Sequence, residues 1–245
     1  MHKASVLLFC VSLTGLFAGT AGAASINLTS LDWPPYTGDK LTGQGVTSQV
    51  VKAVLEQAGH SASFKFLPWQ RAVDTARSDP AFVGYFPEYA DPSSPCLFSA
   101  PIGHGPLGFA EQTAKPVTWG SLDDLKSRKI GTVSGYVNTV EFDKMAAAGQ
   151  LKIDAASSDE QNLLKLANGR IDLAVGDQND MHYLLQTSPK LQSAASSLQF
   201  NGKILEDKTL HVCFTNSEAG KQALEAFNAA LKQVDVEKLA AQAAK

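Results

Sequence analysis

The sequence predicts an α/β protein of two lobes, each a mostly parallel sheet flanked by helices, with the chain crossing between them twice. Three observations carry this. Strand-like and helix-like patterns alternate from Ile26 to Phe86, and the same rhythm restarts at Lys129 and runs to Gly176. The tail after about Glu206 has too little material for a domain of its own, so it must pack on an earlier block. A return to the first block makes a double-crossover hinge, and the cleft between hinged lobes is where small ligands bind.

Each element has its own signal. Ile26 to Ser30 is β-prone and runs into the turn-rich Asp32-Trp33-Pro34-Pro35-Tyr36-Thr37-Gly38. Val46, Val50, Val54, Leu55 and Ala58 fall on one helical face, and Gly59 stands where a helix stops. Ser63 to Leu67 reads as a strand, Arg71 to Ala76 as a short helix and Phe82 to Phe86 as a further strand. Lys115 to Gly120 is a connector. Ser121-Leu122-Asp123-Asp124 is a capped helix start, the serine accepting amide hydrogen bonds while Asp124 favours the first turn. Lys129 to Val133 is a strand that feeds the loop Ser134 to Thr139. A second capping box, Ser158 to Gln161, opens a helix through Leu163, Leu164, Leu166 and Ala167 that Gly169 ends. Ile171 to Gly176 is a short buried strand, a helix follows over Gln178 to Leu185, Val212 to Thr215 is a last strand, and helices run from Ser217 to the C-terminus.

The first residues bear on compartment. Lys3 precedes an apolar run from Val6 to Ala18, and Ala21-Gly22-Ala23 supplies the small residues a signal peptidase cuts after. The run is too short for a membrane span, and no second run approaches that length. Cleavage after Ala23 leaves 222 of the 245 residues and removes Lys3 but no acid, taking the net charge from −3 to −4. So mild an acidic balance has no basic footprint, which argues against nucleic acid as a partner. Cys96 and Cys213 remain. In an oxidising compartment they invite a disulfide, with two buried free thiols as the alternative; with no CxxC spacing, a metal site is weak.

Several segments together resemble the type-two periplasmic solute-binding proteins, specifically family 3, the polar amino-acid receptors of ABC importers. They are Asp32-Trp33-Pro34-Pro35-Tyr36, Leu67-Pro68-Trp69-Gln70-Arg71-Ala72, Leu97-Phe98-Ser99-Ala100-Pro101-Ile102, Ser121 to Leu125 with Lys129 to Tyr136, and Leu166 to Asp177. The resemblance spans essentially the whole chain after the signal. It implies a first lobe of residues 25–112 and 206–245 and a second of 113–205. It implies capture of a small polar solute in the periplasm by a monomer without cofactor or metal, and delivery to an inner-membrane ABC permease. No Walker-type glycine loop occurs in this chain.

The resemblance also places the ligand contacts. Tyr36, stiffly presented by the double proline, is placed to stack on the ligand, with Trp33 as a lesser candidate or as core cover. Trp69 reads mainly as packing, and Arg71 as either a bidentate clamp for a ligand carboxylate or a surface arginine. Ser134, Gly135, Asn138 and Thr139 lie between a strand and a helix, where free amides and a helix dipole favour an anion. Asp177, at a strand end, is placed to meet an ammonium, to cap the next helix, or both. One departure matters: the receptors carry an arginine shortly before the Phe-Ser pair, and here Glu88 to Cys96 holds no arginine or lysine. Either Arg71 substitutes or the ligand is no standard α-amino acid; Glu88, Asp177 and the aromatics suit a cationic amine. Two other functions fit the fold. One is a sensor that reports to a membrane receptor. The other is a dehydratase-like enzyme using Glu88 beside Tyr85 and Tyr89, although the scattered His60, His104, His182 and His211 support no catalytic pair.

Overall fold

The computed structural model describes residues 25–91 and 94–243, so the expected signal segment, 1–23, lies outside the described residues. The chain opens with β1 (Ser25–Ser30) and α1 (Val46–Gln57), whose Val50, Val51, Val54 and Leu55 are buried as the helical stripe requires. Gly59, at φ 81°, ends that helix: its left-handed backbone lets the His60 N–H reach the Leu55 carbonyl at 2.9 Å. β2 (Ser61–Phe66) and α2 (Trp69–Ser78) both start earlier than the sequence suggests. β3 (Gly84–Tyr89) lies later than expected and is buried along its whole length, as a central strand should be.

Two strands then appear that the residue pattern did not announce, β4 (Leu97–Phe98) and the long β5 (Gly103–Gln112). Ser121 does build its capping box, but it opens only a short 3-10 turn, Leu122–Leu125, in place of the expected helix. β6 (Lys129–Val133), α3 (Val140–Ala147), β7 (Lys152–Ala156), α4 (Asp159–Ala167), β8 (Leu173–Asp177) and α5 (Gln178–Thr187) follow as a βαβαβα run. A short β9 (Leu198–Phe200), the long β10 (Glu206–Phe214), α6 (Glu218–Leu231) and α7 (Val236–Ala243) complete the chain. No helix among the described residues is long and apolar enough to cross a membrane.

The sheet runs in the order β2-β1-β3-β10-β5-β8-β6-β7, with β4 on β10 and β9 on β5. β1, β2 and β3 are parallel, as are β6, β7 and β8. Between these two parallel groups lie β10 and β5, antiparallel to each other over Glu206–Leu210 and Leu107–Gly103. β10 continues onto β3 and β5 onto β8, so two long strands carry the chain from one lobe to the other and back. A separate apolar cluster beneath the second parallel group holds Leu163, Leu166, Ile171, Met181, Leu191 and Leu198. In the first lobe Cys96 and Cys213 are joined by a disulfide, with Cα atoms 5.5 Å apart, beside the pairing of β4 with the end of β10.

Candidate functional site

The carboxyl ends of the parallel strands in both lobes face one cleft, the position where open α/β sheets present ligands. From the first lobe, β1 leads into Leu31, Trp33 and Tyr36, β2 into Trp69, and β3 ends on Glu88 and Tyr89. The Trp33 loop is tight: Trp33 and Thr37 exchange backbone hydrogen bonds of 2.8 and 3.0 Å, and the Thr47 amide at the start of α1 donates to the Tyr36 carbonyl at 2.8 Å. From the second lobe, β6 leads into Tyr136, β7 into Asp159 and β8 into Asp177 and Asp180.

These residues enclose two connected chambers that share Leu31, Trp69 and Tyr136. The inner one, a cavity of about 30 Å³, is bounded by Trp33, Trp69, Glu88, Tyr89, Tyr136 and Val137. The outer one, of about 420 Å³, sets Leu31, Phe66, Leu67 and Trp69 against Asp159 and Asp180, with Asp32 and Glu160 also on its walls. Among the described residues, no lysine, arginine or histidine lines either chamber.

The lobes are in direct contact across the cleft. The Trp69 indole N–H donates to the Gly135 carbonyl at 3.0 Å. The Tyr36 hydroxyl donates to the Asp177 carboxylate, 3.1 Å from each oxygen, and accepts from the Asn179 amide at 2.8 Å. Gly105 on β5 makes room for this latch, because a side-chain carbon there would overlap both Asp177 Oδ2 and the Tyr36 hydroxyl. Gly105→Ala is therefore expected to cost about 1–3 kcal/mol by overpacking, read as a lower denaturant midpoint. An unchanged midpoint would mean that the latch does not form in solution.

The electrostatics of the cleft are one-sided. Asp177 and Asp180 are each 2% exposed and Asp159 is half-buried, and among the described residues none of them, nor Glu88, pairs with a cation. Burial pushes the Glu88 carboxyl up to about 8, its own Tyr89 amide at 2.9 Å and the more distant Arg77 and Lys208 only partly offsetting this. Burial likewise raises Asp177 to about 6 against the pull of the Asp180 and Asn179 amides and Tyr36. Asp180 lies well above the carboxylate range through burial and then the charges of Asp159 and Asp177, and Asp159 is raised by burial and by Asp177. Charges without partners in a poorly solvated site raise pKa values in this way.

The candidate residues divide on these contacts. Trp69 and Glu88 line the inner chamber, and Asp177 caps α5 while holding Tyr36. Tyr36 stacks on Trp33, with ring centroids 4.5 Å apart, and so is occupied within the protein. Tyr85 sits behind the wall, edge-on to Trp69 at 5.5 Å, with Arg77 3.4 Å from its hydroxyl. Arg71 is exposed and outside both chambers. Two positions on from the buried Trp69, it stands about 200° round the helix, so the carboxylate-clamp reading is corrected here. The anion-loop reading changes too. Thr139 caps α3 by accepting the Phe142 amide, Asn138 binds Asp143 by its amide and side chain, and Ser134 and Gly135 are exposed outside the chambers. The same loop instead sends Tyr136 and Val137 into the inner chamber.

Sequence reasoning missed Tyr136, Asp159 and Asp180 and treated Tyr89 only as a neighbour of Glu88. Asp159 and Asp180 fall in first helical turns, where an acid ordinarily serves the helix dipole. The available signal was their shared place after the carboxyl ends of β7 and β8, the two strands that flank β6. Among the described residues, no group of three His, Cys, Asp or Glu side chains is arranged to hold a metal ion.

No family model matches this sequence, and no curated protein does. Solved structures do. The chain is similar to a histidine kinase sensor domain with similarity to periplasmic binding proteins, at 17% identity and a TM-score of 0.76 over 89% of this chain and 95% of that one. It is similar to an ancestral arginine-binding protein bound to arginine, at 16% identity and a TM-score of 0.73 over 89% and 97%. The periplasmic VFT2 domain of Bordetella pertussis BvgS is matched at 16% identity and a TM-score of 0.69 over 89% and 91%. The fold is that of a two-lobed, type-two periplasmic binding protein.

Proposed function

We propose that this chain is a periplasmic solute-binding protein that closes on a small organic cation and does no chemistry on it. The observation that carries the reading is the charge of the cleft: its ionisable walls include Glu88, Asp159 and Asp180 and, among the described residues, no basic side chain. A buried cation needs such partners, and a ligand carboxylate would find no cation to pair with. Aromatic walls add favourable contact for an ammonium group. The moving bodies are residues 25–112 with 206–245 against 113–205, and the paired strands β5 and β10 are the hinge between them. Delivery to an inner-membrane ABC permease is the leading role. A sensor role is the second reading, favoured by the similarity to a histidine kinase sensor domain.

The test is a thermal-shift and calorimetry screen of the protein, refolded once to strip carried-over solute, against amines, quaternary ammonium ions, amino acids and small carboxylates. A cation at a hundred times its Kd should add about 2.7 kcal/mol of stability, several degrees in melting temperature. Binding restricted to anions or neutral solutes would overturn the proposal. Loss of uptake of the bound cation in cells lacking the chain would support the importer role over the sensor.

A further inference from the structure

Resting on that cation reading, we infer that the ligand is an amphiphilic monoamine: one ammonium group on an apolar body that bears a hydrogen-bonding substituent and no carboxylate. The outer chamber has two unlike walls. The first lobe offers Leu31, Phe66, Leu67 and Trp69 with the exposed Asp32 beside them, and the second offers Asp159 and Asp180 with Glu160, which is already paired with Lys190 and Ser188. A ligand between them presents an apolar face to one lobe and its charge to the other, so closure completes both contacts together. A second ammonium would have to lie on apolar surface, at the exposed Asp32, beside Glu160, which Lys190 already pairs at 2.6 Å, or beside Glu88, which already has Arg77 and Lys208 within electrostatic range.

The inner chamber supplies an independent observation. Trp33 and Tyr89 are each 7% exposed, and among the described residues the Trp33 indole N–H and the Tyr89 hydroxyl have no hydrogen-bond partner. Both residues line the chamber, and Tyr89 lies within the field of Asp159, Asp177 and Asp180. Buried polar atoms are rarely left unpaired. An indole N–H can only donate, so it calls for an acceptor, and the phenol can donate or accept. A hydroxyl on the apolar body of the ligand meets both, and a bare hydrocarbon body meets neither. An α-carboxylate meets acidic groups wherever the cleft carries charge. This separates the ligand from an amino acid of the same side chain.

Calorimetry at pH 8 on the purified protein tests each part with matched probes: phenethylamine, tyramine, phenylalanine, tyrosine, putrescine and choline. Tyramine is expected to bind about 5-fold tighter than phenethylamine, one net hydrogen bond's worth. Each amine should bind at least about 100-fold tighter than its own amino acid, the scale of an unpaired buried charge. In Tyr89→Phe and in Trp33→Phe, folded by their melting transitions, the tyramine advantage should narrow to within about 2-fold. Phenylalanine or tyrosine binding as tightly as its amine overturns the inference. So does putrescine or choline binding at least as tightly as phenethylamine, although the cation reading then stands. A tyramine advantage undiminished in both variants removes the substituent. Binding of no cation at all removes the inference and the cation reading together.

Discussion

Asp180→Asn is expected to raise the melting temperature of the ligand-free protein at pH 8 while weakening amine binding by about 100-fold. Both effects have one cause. Asp180 is 2% exposed, shares the second lobe's cleft wall with Asp159 and Asp177, and has no cation of its own among the described residues. Its carboxyl pKa is raised in the folded protein, so the folded state holds that proton more tightly than the unfolded chain does. Stability is then greatest below the ordinary carboxylate value near 4 and falls as pH rises toward the folded value. Glu88, at about 8, and Asp177, at about 6, act in the same direction. The ligand-free protein should therefore melt at a higher temperature at pH 5 than at pH 8. The asparagine variant should show the smaller difference. A gain of about 1–2 kcal/mol at pH 8 corresponds to several degrees for a chain of this size. Removing one partner of a buried charge pair costs about 2–5 kcal/mol of binding, which sets the affinity loss. A variant that melts lower at pH 8 and still binds the amine would show that this acid belongs to the scaffold. Natural binding sites commonly trade stability for function in this way.

The second large effect is expected at the disulfide. Cys96 and Cys213 are 117 residues apart, so their bond removes a long loop from the unfolded ensemble. Chain-entropy arguments put such a crosslink at about 4–5 kcal/mol. The Cys96→Ser/Cys213→Ser double variant should melt roughly 10 °C lower, at about 2–4 °C per kcal/mol. Both cysteines lie on one side of the hinge, at β4 and β10, so ligand affinity should change little once the variant is folded. A melting point within about 2 °C of the parent would mean that the native contacts hold β4 without the bond.

The lobes were legible because the helices that cover them carry strong periodic stripes, such as Val50, Val54 and Leu55, with Gly59 as a stop. β5 was not legible, since Gly103, Gly105, Pro106 and Gly108 break its pattern, and Gly105 among them leaves room for the cross-lobe contact of Tyr36 with Asp177. β7 alternates only weakly and sits at the sheet edge, with Ile153 exposed. In the site, Glu88, Trp69 and Asp177 could be named from motifs and strand ends. Asp159 and Asp180 could not, because a first-turn acid looks the same whether it faces solvent or a cleft. Arg71 was left open between a clamp and a surface arginine because a motif position says nothing about which side of a helix a residue takes. The buried face Trp69, Ala72, Val73 and Ala76 settles that.

The strand order has a consequence for how the chain is made. β10 lies in the middle of the sheet, between β3 and β5, yet it comes from the last fifth of the sequence. The run from β6 to α5 is contiguous and can gather its own core as it emerges. The first lobe cannot. β1, β2 and β3 are synthesised early and then wait, with β3 exposing an apolar edge, until residues 210–214 arrive to pair with it. Such an unpaired edge invites aggregation. A chain truncated before Glu206 should thus retain a structured later segment while its earlier one stays open to chaperones and proteases.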